Sequence, residues 1–130
     1  MTNDSYFSNE EFQEILQRYE EAQQKGLATY FDSDALVDIA EYYYEEGRAN
    51  DAVDAALKGV EMFPGAMAPL VFMGRYQLLK QNNPEKAKWY LDQVDNQEEP
   101  ECIYLQAEIM LVENKQDEAD SFLRQQLEWQ

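Results

Sequence analysis

One pattern of small and large apolar residues occurs twice in this chain, and it constrains the fold more than any other sequence feature. Its members, in chain order, are Leu36, Ile39, Ala40, Tyr43, Ala52, Ala56 and Pro64 in the first copy and Ile103, Gln106, Ala107, Met110, Ala119 and Leu123 in the second. In each copy two alanines are separated by 12 positions, and between the copies Gly74 and Ala87 form a similar pair at a spacing of 13. This regularity predicts helix pairs that recur about every 34 residues.

The order of large, large, small and aromatic residues within the pattern resembles the signature of the tetratricopeptide repeat (TPR) family. The resemblance covers about residues 33–128 and implies an all-α fold, an α-solenoid of stacked antiparallel helix hairpins with about three TPR units. The implied organisation is an N-terminal tail and capping helix at 1–31, followed by helix pairs at about 32–65, 66–98 and 99–130. Two departures are Gln106 at an apolar position and the extra residue between Gly74 and Ala87. The alternative is an irregular helical bundle, which has no reason to restart its pattern after each turn.

Capping and turn residues predict where the helices begin and end. The candidate N-caps are Ser8 in a capping box with Glu11, then Asp32 or Ser33, then Asn50, and finally Asn83 followed by Pro84. A helical segment through Val94 is expected to close the second pair, and Pro100 to open the third. Gly26, Gly47 and the Phe63–Pro64–Gly65 segment are expected to end the helices that precede them.

Acidic residues dominate the charge of the chain. Asp and Glu number 27 against 10 Lys and Arg, for a formal net charge of -17. This charge repels nucleic acid phosphates and anionic lipids, so we expect neither nucleic acid nor membrane as a partner. The single cysteine, Cys102, cannot form an internal disulfide, which is typical of a reducing compartment. The opening residues do not resemble a secretory leader, and no run approaches the ~20 apolar residues that span a bilayer. We therefore expect a cytoplasmic protein.

Residues typical of catalytic or metal sites are scarce. The chain has no histidine, the commonest general base and metal ligand, so Cys102 has no imidazole to activate it. Asp32, Asp34 and Asp38 suggest a calcium loop, but an EF-hand counted from Asp32 would need glycine at Val37 and glutamate at Tyr43. We predict that the protein is not an enzyme and that it has no catalytic residue, cofactor or metal.

The resemblance to TPR proteins also implies a binding surface, because the first helices of successive pairs in that family line a concave groove. The residues that would face this groove are Val37, Glu41 and Tyr44 in the first pair, Phe72, Tyr76 and Leu79 in the second, and Tyr104, Glu108 and Leu111 in the third. Aromatic and aliphatic side chains with carboxylates among them favour a protein or peptide with apolar anchors and neutral-to-basic flanks. The alternative is that several of these side chains pack against a neighbouring repeat or the N-terminal helix.

Some chaperone-binding members of the TPR family hold the C-terminal carboxylate of a chaperone tail with lysine, asparagine and arginine in this groove. Val37 and Glu41 occupy the positions where the lysine and asparagine would lie in the first pair. A carboxylate would be repelled there, so we predict no binding of acidic chaperone tails.

Two classes of function agree with these features. The first is a non-catalytic protein–protein interaction scaffold whose groove binds a peptide segment or a partner subunit. The second is a structural or oligomerisation module, or the N-terminal repeat region of a longer protein whose activity lies elsewhere. The last predicted helix has apolar residues that no later helix covers, namely Phe122, Leu123, Leu127 and Trp129. This uncovered face predicts either a truncated chain or self-association through the C-terminal helix.

Overall fold

The computed structural model describes residues 6–27 and 29–128. This part of the chain consists of helices and the turns between them, without a β-strand, which confirms the all-α prediction. The helices with both ends described are α1 (Glu10–Lys25), α2 (Ser33–Glu45), α3 (Ala49–Met62), α4 (Met67–Leu79), α5 (Pro84–Leu91), α6 (Pro100–Val112) and α7 (Gln116–Glu128). Each of these is too short or too polar to cross a lipid bilayer.

Helix α1 is capped by a residue other than the predicted one. The side-chain oxygen of Asn9 accepts hydrogen bonds from the N–H groups of Glu11 at 2.7 Å and Phe12 at 3.3 Å. The prediction of a capping box between Ser8 and Glu11 is therefore wrong. Asparagine and serine are comparable N-caps, and Asn9 is the one placed to bind the first free N–H groups of the helix.

Three other helix starts are as predicted, and one of them is that of α6, which begins at Pro100. Asp32 caps α2, because its carboxylate accepts a hydrogen bond from the N–H of Ala35 at 2.8 Å. Asn83 caps α5 by accepting from the N–H of Lys86 at 3.0 Å, and Pro84 takes the first helical position. Proline is well tolerated there because its missing N–H would have had no partner within the helix.

The start of α3 differs from the prediction. Gly47 has a φ of 79°, and this left-handed residue lets the N–H of Arg48 bind the carbonyl of Tyr43 at 2.8 Å. The chain then turns directly into α3, which begins at Ala49 without a side-chain cap. Asn50 lies inside the first turn, so the prediction that it caps this helix is wrong.

Helix α5 is shorter than predicted, because it ends at Leu91 and Val94 lies in the link that follows. The amide of Gln97 donates hydrogen bonds to the carbonyls of Leu91 at 2.7 Å and Val94 at 3.1 Å. These bonds replace the ones that a further helical turn would have made to the same carbonyls. Val94 is nevertheless buried, so it belongs to the core as a link residue.

Contacts between the helices follow a regular order. Neighbours in sequence pack as three pairs, α2 with α3, α4 with α5, and α6 with α7. The first helices of successive pairs also touch, α2 with α4 and α4 with α6, and the second helix of each pair touches the first helix of the next. Helix α1 and the residues before it pack on α2 through aromatic rings, with Phe7 and Phe12 at 5.6 and 5.7 Å from Tyr42.

Small residues lie where the helices approach most closely. Ala40, Ala52 and Ala87 are fully buried, and a Cβ atom added to Gly74 would lie 2.8 Å from Cδ2 of Leu105. Larger apolar side chains fill the remaining space, and the bulkiest fully buried ones include Leu36, Ile39, Leu70, Met73, Leu78 and Leu105. The small residues permit close approach of the helix axes, and the large ones provide the apolar burial that stabilises the fold.

The extra residue of the second pair lies at the end of α4. In the first pair the left-handed Gly47 follows Ala40 by seven positions, whereas the left-handed Asn82, with a φ of 51°, follows Gly74 by eight. From each left-handed residue to the next small residue the spacing is five in both pairs. The inserted residue is therefore accommodated between Gly74 and Asn82, and Leu78 rather than Gln77 becomes buried.

The C-terminal helix α7 is partly covered within the described residues. Phe122 and Leu123 are half-buried. The predicted uncovered face also includes Leu127 and Trp129. The side chain of Leu127 and the whole of Trp129 lie outside the described part of the chain.

Candidate functional site

A groove of about 460 Å³ opens between α2, α4 and the first turn of α6. Its lining includes six of the nine residues predicted to face a groove, namely Val37, Glu41, Tyr44, Phe72, Tyr76 and Leu79. The α2 members are spaced by four and three positions, which places them on one face of that helix. Because α2 and α4 pack side by side, the predicted stripes of the first two pairs meet in one surface.

The predicted residues of the third pair do not line this groove. Tyr104 and Leu111 lie on α6 with exposed fractions of 49% and 48%, and Glu108 is held in an ion pair. From α6 only Glu101 reaches the lining. The groove thus ends at the start of α6 and does not extend along that helix.

Aromatic side chains form one end of the groove. The rings of Tyr44 and Phe72 are 6.4 Å apart and nearly perpendicular, at 87°. The hydroxyl of Tyr76 accepts a hydrogen bond from the amide of Gln81 at 3.2 Å. The Lys80 ammonium lies 5.4 Å from the centre of the Tyr44 ring, within the range of a cation–π interaction. This end therefore offers flat apolar area to a ligand, and Tyr44 already contacts a cation.

Arg75 is a groove residue that the predicted stripe does not include. Its guanidinium donates to Glu101 at 3.0 Å and to Glu108 at 3.1 Å, so it ties α4 to α6. The signal for this contact is present in the sequence, since Glu41, Arg75 and Glu108 each directly follow the small residue of their pair. Equivalent positions of touching helices lie side by side, and at these positions Arg75 forms an ion pair with Glu108 but not with Glu41.

Carboxylates outnumber cations around the groove. Glu41, Glu45 and Glu101 line it together with the single arginine. The Glu41 side chain remains exposed at the surface of the groove, but partial desolvation of its carboxyl raises its pKa, and the charges of Asp38, Glu45 and Glu101 raise it further. Arg75 offsets this only in part, and within the described residues Glu41 forms no ion pair. The groove is therefore a region of negative potential that favours a cation.

Replacing Glu41 with Gln is expected to raise the midpoint of thermal unfolding at pH 7 by about 1–3 °C. A carboxyl whose pKa is higher in the folded state destabilises the fold at neutral pH, and this effect disappears as the pH falls through the raised pKa toward the ordinary 4.5. The stability gain of the variant should therefore shrink between pH 7 and pH 4.5. Circular dichroism melts at low salt provide the measurement, and Glu98→Gln in the link before α6 is the control. A Glu41→Gln variant that melts below the wild type at pH 7 would contradict the prediction.

Two tyrosine hydroxyls connect the N-terminal part of the chain to α2. Tyr6 donates to Asp38 and Tyr43 donates to Glu20, both at 2.6 Å, and the first bond raises the pKa of Tyr6 to about 12. A second cavity of about 270 Å³ surrounds the Tyr43–Glu20 bond, and the Arg48 side chain lies over the Tyr43 ring. Two polar contacts lie in its lining, the Tyr43–Glu20 bond between α2 and α1 and the Arg48–Asp51 bond at the start of α3, so these residues have a structural role.

Within the described residues no cluster of three or more acidic or cysteine side chains is arranged to hold a metal ion. Cys102 is buried, and burial together with the charges of Glu99 and Glu101 raises the pKa of its thiol.

No protein-family model, curated protein or solved structure matches this chain.

Proposed function

We propose that this protein is a non-catalytic protein–protein interaction scaffold built from three TPR-like helix pairs behind an N-terminal helix. Its groove binds an extended peptide segment of a partner protein. The observation that carries the proposal is the convergence of Val37, Tyr44, Phe72 and Tyr76 in one open groove whose edges bear carboxylates. The order of helix contacts, in which each first helix touches the next first helix, supports the stacked arrangement.

The aromatic end of the groove has the properties of a peptide-binding surface. Tyr44 is 38% exposed and Leu79 is 64% exposed, so a ligand side chain has apolar area to cover. Covering one large apolar anchor contributes ~1.5–3 kcal/mol before the entropy of ordering the peptide is subtracted. Tyrosine loses little conformational entropy when it is contacted, because its side chain has only two rotatable bonds. Micromolar affinity corresponds to about 8 kcal/mol, so a peptide must contact several of these apolar side chains at once to reach it.

The non-catalytic part of the proposal rests on the available chemical groups. The chain has no histidine, and the raised pKa of Cys102 keeps its thiol protonated at neutral pH. A protonated, buried thiol is a weak nucleophile. Arg75 of the groove already binds Glu101 in the lining and Glu108 outside it, and the carboxylates of Glu41 and Glu45 also line the groove. This arrangement is suited to holding a cation.

The experiment is a selection of peptides from a random library displayed on phage, followed by titration of the selected peptides. We expect the double variant Tyr44→Ala/Tyr76→Ala to lower the affinity of these peptides at least about tenfold, because tyrosines that a ligand covers are frequent hot spots of binding. Tyr104→Ala is the matched control, since Tyr104 is an exposed tyrosine outside the groove. Helicity of all variants is checked by circular dichroism.

Equal affinities for the wild type and the double variant, with helicity retained, would overturn the proposal. In that case the structural or oligomerisation function would become the better explanation of the apolar residues. The Tyr104→Ala variant must also keep its affinity for the peptides. A loss of affinity in this variant would show that binding does not depend on the tyrosines of the groove in particular. The two variants together thus assign binding to the groove or remove it from the groove.

A further inference from the structure

We propose that the groove selects peptides in which a basic residue stands two positions from a large apolar residue. The inference rests on the proposed function, and it names the partner by its chemistry, an extended segment with the pattern basic–any–apolar. One part of the groove, the cation subsite, consists of Glu41 and Glu101. The other part, the apolar subsite, consists of Tyr44, Phe72 and Tyr76.

The cation subsite is identified by its charges. Glu41 on α2 and Glu101 on α6 both line the groove, and the charge of Glu101 acts on Glu41. Glu101 already accepts a hydrogen bond from the Arg75 guanidinium of the protein itself, which shows that a cationic side chain is accommodated here. That guanidinium binds Glu101 and Glu108 and leaves Glu41 without an ion partner among the described residues. A ligand ammonium or guanidinium beside Glu41 would form a charge-assisted hydrogen bond and relieve repulsion among the carboxylates.

The apolar subsite lies about one helical turn further along α2. Tyr44 follows Glu41 by three positions, which corresponds to ~4.5 Å along the helix axis. In an extended peptide, side chains on the same side are two residues and roughly 6.6 Å apart. These two lengths differ by about 2 Å, and a long, flexible lysine or arginine side chain can bridge that difference. The perpendicular rings of Tyr44 and Phe72 then offer a face and an edge to the apolar side chain.

A helical ligand agrees less well with the size of the groove. Its side chains three or four positions apart are ~4.5–6 Å apart along the axis, a spacing close to that of Glu41 and Tyr44, but a ligand helix is about 10 Å wide with its side chains. The groove has a volume of about 460 Å³ and is closed at one end by the Arg75 contacts to α6. An extended segment presents its alternate side chains to such a groove without that bulk. The expected pattern is therefore a spacing of two.

The test compares phage-displayed random peptides selected on the wild type with those selected on Glu41→Gln/Glu101→Gln. We expect wild-type peptides to be enriched in Lys or Arg two positions from a large apolar residue, and the variant to retain the apolar preference without the basic one. A wild-type peptide should bind the variant about fivefold more weakly at low salt, with a smaller difference at high salt. Glu21→Gln/Glu61→Gln is the matched control, because it removes two carboxylates that do not line the groove.

Each outcome separates this inference from the proposal on which it rests. Peptides that need Tyr44 and Tyr76 but show no basic enrichment would overturn the inference and leave the groove as a peptide site. The same follows if basic enrichment persists on Glu41→Gln/Glu101→Gln, or if the control variant loses it equally. A selection without any peptide that depends on the groove would overturn both.

Discussion

Replacing Leu105 with Ala is expected to lower the free energy of unfolding by about 2–5 kcal/mol, the largest effect of any single change considered. Leu105 lies in α6 and is fully buried, in contact range of Gly74 on α4. Removing three carbon atoms there sacrifices their transfer free energy and leaves a cavity that the packed helices fill only in part. Because α4 and α6 belong to successive helix pairs, the loss falls on the contact that joins those pairs. Urea unfolding followed by circular dichroism measures it.

Leu111→Ala makes the same chemical change on the same helix and serves as the control. Leu111 is 48% exposed, so this variant is expected to change the free energy of unfolding by less than about 0.5 kcal/mol. Equal effects of the two substitutions would contradict the burial of Leu105. Gly74→Ala in the Leu105→Ala background is expected to recover part of the loss. Its new methyl group would occupy space left by Leu105, and alanine favours a helix interior over glycine by ~1 kcal/mol.

The helices and their pairing follow from local patterns that the sequence displays directly. Helical spacing of apolar residues, the cap at Asp32 and the left-handed Gly47 act within a few positions of the chain, so they are readable without the fold. The sequence alone does not show whether Asn9 or Ser8 caps α1, because both residue types cap helices well and the two residues are neighbours. The extra residue near α4 was equally ambiguous. Its position depends on whether Gln77 or Leu78 is buried, which packing with other helices decides.

The candidate site divides along the same line. The groove residues on α2 and α4 are predictable from the sequence. Helical spacing places them on one face of each helix, and the two helices pack side by side as first helices of successive pairs. The contribution of α6 is not predictable in this way, since Arg75 reaches across to Glu101 and Glu108 and closes the groove before Tyr104. Such a contact depends on long side chains from different helices, which helical periodicity does not describe. Opposite charges at equivalent positions of successive pairs indicate the Arg75–Glu108 contact, whereas the Arg75–Glu101 contact has no such signal.

Replacing Gly65 with Ala is expected to lower the free energy of unfolding by about 2–3 kcal/mol. Gly65 joins α3 to α4 with a φ of 85°, a conformation that an L-residue adopts at a penalty of ~1–2 kcal/mol. A Cβ atom there would also overlap the carboxylate of Asp95, whose N–H donates to the Gly65 carbonyl at 3.0 Å. Asp95 would have to leave its rotamer, at a further ~0.5–1.5 kcal/mol, in the link that leads to α6.

Gly47→Ala separates the two parts of this effect. Gly47 has a similar φ of 79°, but a Cβ atom added to it meets no atom within 4 Å. We therefore expect Gly47→Ala to lower the free energy of unfolding by only the backbone penalty, ~1–2 kcal/mol, in the same urea titration. Adding Asp95→Ala to Gly65→Ala should bring that variant close to the Gly47→Ala value, because the overlapping carboxylate is removed. If Gly65→Ala and Gly47→Ala are equally destabilised, and Asp95→Ala has no compensating effect, the contact between these two links does not restrict Gly65.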